Sequence, residues 1–466
     1  SKRLPPPPLP CSMAAALRCV TLLAALPVLA QGAPLEGFRS LEDVLAGIAA
    51  EKAAQYNCSV AIAVRDGHGG AWTAAGGIAD FATGRWADAR DSFVLGSLTK
   101  TFTGPAALQL VDRGVWQLDA PFAPLVNPLL RRSGRPSLAE KFGPLAARIT
   151  LRHLLHMTAG LPDYDTSWNK GDPWRFRQYT RPDHDFGPLD IYDAIPGNLT
   201  WEPGAKQGYC STNYVLVGLG LAQQAGAASW KAYDQFSVVP SQLRKGLPGL
   251  RFALGGPCSK FTQEHGYDRM GPPVRPQDPG KRGGKDVSEV SCLGGWTAGN
   301  AVAPVADMAA WTEALFRPSS EVLSPGMQGA MRNTTAPAGG GSYSPSNFYG
   351  MAAFNLSSTS GLPWPQGEAW GHLGSTYGYQ SISAFFPASG ATVVIATNLE
   401  IRQQDAPSDA LCFAINSLLS HMQQRPFPRC NYSRSGYFFG KCQCSVQETA
   451  EVAEETPIVD STEVVV

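Results

Sequence analysis

Phe93-Val94-Leu95-Gly96-Ser97-Leu98-Thr99-Lys100-Thr101-Phe102-Thr103-Gly104 holds a serine and a lysine spaced by one helical turn. A serine hydroxyl is a poor nucleophile near neutrality, because its proton must leave as it attacks. On a helix, residues i and i+3 share a face, so the lysine amine reaches the hydroxyl. An amine that is neutral, or that shares a proton with a third group, can take the serine proton. Thr101 to Val111 has good helical character, ending near Gly114. The plainer reading of the same residues is a serine N-cap followed by a surface lysine. A second copy of the spacing, Ser167-Trp168-Asn169-Lys170, lies among Pro162, Asp163, Asp165, Gly171, Asp172 and Pro173. That composition reads as a loop, where the spacing has no helical meaning.

Two later segments complete a pattern. Trp201-Glu202-Pro203-Gly204 leads into Tyr209-Cys210-Ser211-Thr212-Asn213-Tyr214, and Trp370-Gly371-His372-Leu373-Gly374-Ser375 leads into Tyr377-Gly378-Tyr379. With Ser97 and Lys100, these resemble the S-x-x-K, Y-x-N and K-T-G or H-x-G elements, in that order, of class C β-lactamases, D-alanyl-D-alanine carboxypeptidases and penicillin-binding proteins. Connecting text agrees: Thr150-Leu151-Arg152-His153-Leu154-Leu155-His156-Met157-Thr158-Ala159-Gly160-Leu161-Pro162, Gly114 with Leu118-Asp119, and Gly294-Gly295-Trp296 through Asp307-Met308. The resemblance spans roughly residues 40–425.

It implies that Ser97 forms an acyl-enzyme, with Lys100 and Tyr209 as the catalytic pair. Free tyrosine ionises near pH 10, so a phenolate at Tyr209 needs a nearby cation, which Lys100 can supply. Which of the two takes the proton stays open at this level. The resemblance further assigns Ser211, His372, Gly374 and Ser375 to substrate binding and the backbone N–H groups of Ser97 and Ser375 to an oxyanion hole. Gly374, lacking a side chain on an edge strand, would let a substrate backbone approach closely.

Two positions depart from the pattern. Ser211 stands where an asparagine is usual, and a hydroxyl reaches less far than an amide, which weakens an acyl-amide contact by about 1 kcal/mol. His372 replaces the lysine of K-T-G, although histidine occurs within the family. A partly charged imidazole turns a fixed grip on a carboxylate into a pH-dependent one, lost as pH rises through about 6–7. Both changes count against efficient penicillin hydrolysis and leave acyl transfer intact. Cys210 reads as a small buried residue rather than a redox thiol.

Lys and Arg number 38 and Asp and Glu number 38, so no global field recruits nucleic acid or an anionic surface. Met13 opens a second recognisable segment: Arg18, then an apolar run from Val20 through Ala30, then Ala30-Gln31-Gly32 for cleavage. It reads as a secretory signal peptide, leaving no stable membrane span; an uncleaved anchor is the alternative. Residues 1–12 fit neither reading. Sequons at Asn57, Asn198, Asn333, Asn355 and Asn431 suit a glycosylated, secreted protein. Of ten cysteines, Cys11 and Cys19 fall in or before that segment. Arithmetic leaves the pairing of the other eight open; the expectation is Cys258–Cys292, plus bridges within Cys412, Cys430, Cys442 and Cys444. His153 and His156 have no third ligand beside them, so no metal is expected, and no cofactor.

Residues 36–55 show a helical pattern, 59–64 and 71–75 a strand pair, 380–386 and 391–397 another, and 406–421 a last helix. By resemblance, the fold is α/β (α+β): an antiparallel sheet flanked by terminal helices, with an inserted α-rich subdomain and the site between them. The expected organisation is 1–32 signal and upstream residues, 36–425 catalytic domain, 426–444 a cysteine-containing extension, and 445–466 a disordered tail with six acidic residues and no basic ones. Residues 244–290, rich in Gly, Pro, Lys and Arg, read as a loop-dominated insertion that could form one wall of the cleft. The function implied is a secreted serine hydrolase acting on amide, peptide or ester bonds of a small molecule or peptide. The alternative is a binding or scaffold protein that keeps the fold, with Ser211 as its one sequence support. Oligomeric state is not legible.

Overall fold

Ser40 accepts a hydrogen bond from the Asp43 N–H and so caps helix α1 (Leu41–Tyr56), which ends on Asn57 in the left-handed region at φ 53°. This is a computed structural model, and it describes residues 40–165, 173–270, 284–334, 349–401, 404–433 and 440–445. The expected signal segment, most of the acidic tail and the second serine–lysine copy at Ser167–Lys170 lie outside the described residues.

Strands β1 (Val60–Arg65) and β2 (Ala71–Gly76) form the first expected hairpin. Near the other end of the chain come β3 (Phe354–Asn355), β4 (Trp370–Thr376), β5 (Tyr379–Phe386) and β6 (Ala391–Thr397). They join one antiparallel sheet in the order β3-β4-β5-β6-β1-β2. The register of β1 on β6 runs from Val60 opposite Thr397 to Arg65 opposite Thr392, so the two ends of the chain meet at the sheet centre. Val60 through Val64 are buried without alternation, as are all residues of β6, because both faces are covered.

The helices that matter to the site are α2 (Lys100–Asp112), α3 (Pro173–Thr180), α4 (Thr212–Gln224), α5 (Val305–Phe316) and α6 (Asp405–Met422). The terminal helices α1 and α6 pack on one another and on the sheet, and α5 lies against β1 and β6. Beneath α2, Phe102 stacks on Trp311 of α5 (centroids 4.3 Å apart), and the Trp311 indole N–H donates to Thr101 Oγ1 at 3.0 Å. That contact ties the α-rich part to the sheet layer.

Three disulfides are present among the described residues: Cys258–Cys292, Cys412–Cys442 and Cys430–Cys444. The last two clasp the hairpin Arg429–Ser433/Lys441–Ser445 and tie it to α6. Cys58 and Cys210 are buried free thiols. No helix among the described residues is long and apolar enough to cross a membrane. The sequons at Asn198, Asn333 and Asn431 are exposed, whereas Asn57 and Asn355 are partly covered.

Candidate active site

Ser97 sits in a tight 3-10 turn, Gly96–Thr99, that opens directly into α2. In such a turn residues i and i+3 eclipse, which sets Lys100 Nζ 2.8 Å from Ser97 Oγ. Thr99 locks the turn: its hydroxyl donates to the Gly96 carbonyl at 2.7 Å and accepts from the Ala301 N–H at 2.9 Å. The serine is therefore not a helix cap, and Lys100 is fully buried rather than on the surface. Nζ also lies 3.2 Å from Ser211 Oγ and 3.0 Å from the carbonyl oxygen of Ala298. Burial lowers the lysine pKa to about 8, although Asp163 and Asp165 pull the other way.

Ser211 stands at the N-terminus of α4, where its side chain meets Lys100 instead of capping the helix. Its N–H donates to Asp163 Oδ1 at 3.0 Å. Tyr209 is positioned by two laced segments: the N–H groups of Gly204 and Gly208 donate to the carbonyls of Thr158 and Met157, and that of Thr200 to Gly160. Thr158-Ala159-Gly160 and Trp201-Glu202-Pro203-Gly204 thus form one support. The Tyr209 ring stacks on Phe354 (5.8 Å, interplanar 13°), with Lys100 Nζ 5.1 Å from its centroid. Burial raises the Tyr209 hydroxyl well above the ordinary phenol pKa, and a hydrogen bond with Ser97 offsets part of that rise. Tyr209 is thus a protonated phenol beside Ser97. Cys210 is buried next to it, with its thiol donating to the Leu161 carbonyl at 3.4 Å and its pKa pushed well up by burial.

Gly96 has φ +55°, and a Cβ there would lie 2.8 Å from the Ser375 carbonyl oxygen and 3.0 Å from its nitrogen. The nucleophile turn and β4 therefore touch backbone to backbone, bringing Ser97 and Ser375 together. Gly374 corrects an expectation. It is buried, and an added Cβ would meet the Leu95 carbonyl oxygen at 2.1 Å and Ser381 Oγ at 2.2 Å. What needs the missing side chain is close packing against the nucleophile turn, not an approaching substrate. Among the described residues, β3 pairs with β4 only at Trp370 and Gly371.

His372 is the second correction. Its ring is fully buried and is not among the residues lining the cleft beside Ser97. Nδ1 lies 2.6 Å from the Leu373 carbonyl, which can only accept, so Nδ1 carries the proton. Nε2 then accepts from the Tyr349 hydroxyl at 3.0 Å. Burial, with Lys100 adding to it, depresses its pKa to about 3. A neutral imidazole behind Tyr349 and Tyr209 does not grip a substrate carboxylate, and it has no titration at pH 6–7 to offer.

The cleft holds about 480 Å³ of empty space, part of it open to solvent. Among the described residues, Ser97, Ser211 and Ser375 lie along it, Gly294, Gly295, Ala298 and Gly299 line it too, and so do Tyr164, Asp165, Arg175, Gln178, Thr376, Tyr377 and Glu400. Among the described residues, 244–290 lines not this cleft but a smaller hollow beside it, where Cys258, Val287 and Val290 meet Gly294, Thr376 and Tyr377 of the cleft. Arg175 and Glu400, which the sequence did not mark, form an ion pair at the cleft: Arg175 NH1 and NH2 meet Glu400 Oε2 and Oε1 at 2.7 and 2.9 Å. Tyr349 was likewise unmarked. Each is a single residue outside the recurring elements.

The Beta-lactamase family profile matches residues 46–411. Among solved structures, the fold is similar to D-amino acid amidase from Ochrobactrum anthropi SV3 complexed with D-phenylalanine (TM-score 0.63, 20% identity, 82% of this chain and 99% of that one). It is also similar to a D-stereospecific amidohydrolase from Streptomyces sp. (0.57, 22%, 77% and 94%). A third likeness is the penicillin binding protein from Bacillus halodurans (0.57, 17%, 80% and 98%). At these identities the neighbours speak for the fold alone, while the family match covers most of the chain and takes in Ser97, Lys100, Tyr209 and His372. The chain belongs to the beta-lactamase family.

Proposed function

We propose that the protein is a secreted serine hydrolase that cleaves amide, peptide or ester bonds through an acyl-enzyme on Ser97. The observation that carries this reading is the 2.8 Å contact between Ser97 Oγ and a fully buried Lys100 whose pKa is lowered to about 8. As a cation, Lys100 donates to Ser97, Ser211 and the Ala298 carbonyl. As a neutral amine, it has a lone pair for the Ser97 proton while its two N–H bonds serve the other partners. Ser97 Oγ then bonds to the substrate carbonyl carbon and its proton passes to Nζ. The carbonyl oxygen becomes an oxyanion, which the Ser97 and Ser375 N–H groups stabilise; one such donor is worth roughly 3–4 kcal/mol. When the carbon–leaving-group bond breaks, the leaving nitrogen or oxygen takes a proton from Tyr209 or Lys100. A water then attacks the ester, giving up a proton to the same pair; the bond from the carbonyl carbon to Ser97 Oγ breaks, Oγ takes that proton back, and the acid leaves. The raised Tyr209 pKa keeps the phenol protonated and so favours Lys100 as the base.

The three disulfides and the exposed sequons support secretion. The test is intact mass of the secreted protein after a fluorophosphonate and, separately, a penicillin, with Ser97→Ala alongside. One adduct at Ser97, absent from the variant, is expected with the fluorophosphonate. No adduct on a folded sample would leave a binding protein with this fold.

A further inference from the structure

We infer that Asp163 is a positioning residue for the proposed reaction: its carboxylate anchors the Ser211 backbone and presents a negative charge to the Lys100 amine across that serine. This rests on the serine hydrolase reading above, in which neutral Lys100 takes the Ser97 proton. The start of a helix leaves N–H groups without partners inside it, and a serine there ordinarily turns its hydroxyl back onto them. At the start of α4, Ser211 does not. Its side chain makes no cap bond, and its Oγ lies 3.2 Å from Lys100 Nζ instead. Asp163 brings an acceptor from a separate segment: its Oδ1 accepts from the Ser211 N–H at 3.0 Å. A negative charge there also suits the positive end of the helix.

A second bond holds the segment in place. The Tyr164 N–H donates to Thr212 Oγ1 at 3.2 Å, so consecutive residues of the acidic segment bond to consecutive residues of the α4 start. The contacts then run without a gap to the nucleophile: Asp163 Oδ1 to the Ser211 N–H, Ser211 Oγ to Lys100 Nζ, and Nζ to Ser97 Oγ at 2.8 Å. One residue separates the carboxylate from the amine. Lys100 is fully buried and Ser211 is 3% exposed, so little water screens the charge between them.

Burial pushes the lysine pKa down, and the charge of Asp163 opposes it, with that of Asp165 adding to a lesser degree. An amine whose pKa falls far below the working pH is neutral but accepts a proton poorly; the most effective base has a pKa near that pH. Asp163 thus keeps Lys100 a strong base while leaving a smaller neutral fraction at pH 7. The other groups facing Lys100 hold one charge state between about pH 6 and 9. Burial keeps the phenols of Tyr209 and Tyr214, whose ring centroids lie 5.1 and 5.7 Å from Nζ, and the Cys210 thiol protonated, and it keeps His372 of β4 neutral. Glu400, farther along the cleft, ionises near 7 whether or not Asp163 is charged.

The experiment is the pH profile of fluorophosphonate labelling at Ser97, measured on the full chain and on Asp163→Asn. The amide oxygen can still accept from the Ser211 N–H, so the anchor stays while the charge goes. Wild type should reach half its plateau rate near pH 8. Asp163→Asn should reach half at a pH lower by about one unit, with a plateau reduced several-fold because the base is weaker. Asp163→Glu keeps the charge and should keep the wild-type half-point, whatever its plateau. If Asp163→Asn does not fold, Asp163→Ser, also neutral and able to accept, is read in the same way. Comparing each variant with wild type reads what this one carboxylate adds, and needs no count of the other charges around the cleft. A neutral variant with the wild-type half-point has lost anchoring at most; that result overturns the inference and leaves the hydrolase reading standing, as does a Glu variant displaced as far as the neutral one. Absence of labelling on folded wild type overturns both.

Discussion

On the proposed mechanism, Lys100 decides when Ser97 is reactive. Its pKa is lowered to about 8 by burial, so the neutral amine is the minor form at pH 7 and the major form above pH 8. The rate of fluorophosphonate labelling at Ser97 should therefore rise with pH and level off above about 8. Lys100→Arg keeps the cation and removes the titration; it should cost about a hundredfold or more in labelling rate. His372 behaves oppositely. Held neutral with a pKa near 3, it contributes no limb between pH 5 and 8. His372→Gln should leave the shape of the labelling profile in that range unchanged, and a new or lost inflection at pH 6–7 would contradict the assignment. That Ser97, Lys100, Tyr209 and Ser211 come together was legible in the sequence, because each lies in a short pattern with local meaning. The roles of His372 and Gly374 were misread, because a motif gives a residue's place along a strand but not which way it faces. Arg175 and Glu400 come from α3 and from a two-residue strand after β6, and nothing local in either segment announces a partner more than two hundred residues away.

At the level of elements, the site depends on how tightly the nucleophile turn sits on β4. Gly374→Ala should force Leu95 and Ser381 aside, since the new methyl would meet them at 2.1 and 2.2 Å. Overpacking of this kind costs about 1–3 kcal/mol. The measurable outcome is a lower denaturant midpoint together with loss of Ser97 labelling; a variant with full labelling would show that the contact does not set the site. The Cys258–Cys292 bridge closes a separation of 34 residues through an irregular stretch. Removing it with paired serines should cost roughly 2–4 kcal/mol, read as a drop in thermal midpoint. The helices and hairpins were visible from periodicity, and α1, β1, β2, β5, β6 and α6 fall within a few residues of their expected bounds. The cleft wall was not. Residues 244–290 read as a wall from their composition, yet among the described residues the lining comes from Tyr164, Asp165, Arg175, Gln178 and the glycine-rich 294–299. Composition marks a loop without saying where it packs.

For the whole molecule, stability should carry the signature of carboxyls folded into the interior. Glu264 is fully buried, its Oε2 accepts from Ser59 Oγ at 2.6 Å, and burial raises its pKa to about 8. The folded state therefore holds a proton that the unfolded state gives up near pH 4–5. The stabilisation is complete below that range and is lost as pH rises through 8. Denaturant midpoints should fall between pH 6 and pH 9, and Glu264→Gln should reduce that fall; an identical slope in the variant would exclude Glu264 as a source.

The sheet itself has a consequence for synthesis. β1 is flanked by β2, which follows at once, and by β6, which is made near the end of the chain. At about 5–20 residues per second, the edge of Val60–Arg65 that will receive β6 stays bare for tens of seconds. It is an apolar strand with unpaired N–H and C=O groups, the kind of edge that recruits other nascent chains. The early hairpin should accordingly be a client for holding chaperones during translation, and a ribosome stalled before residue 391 should expose a chain that aggregates rather than one that is partly native.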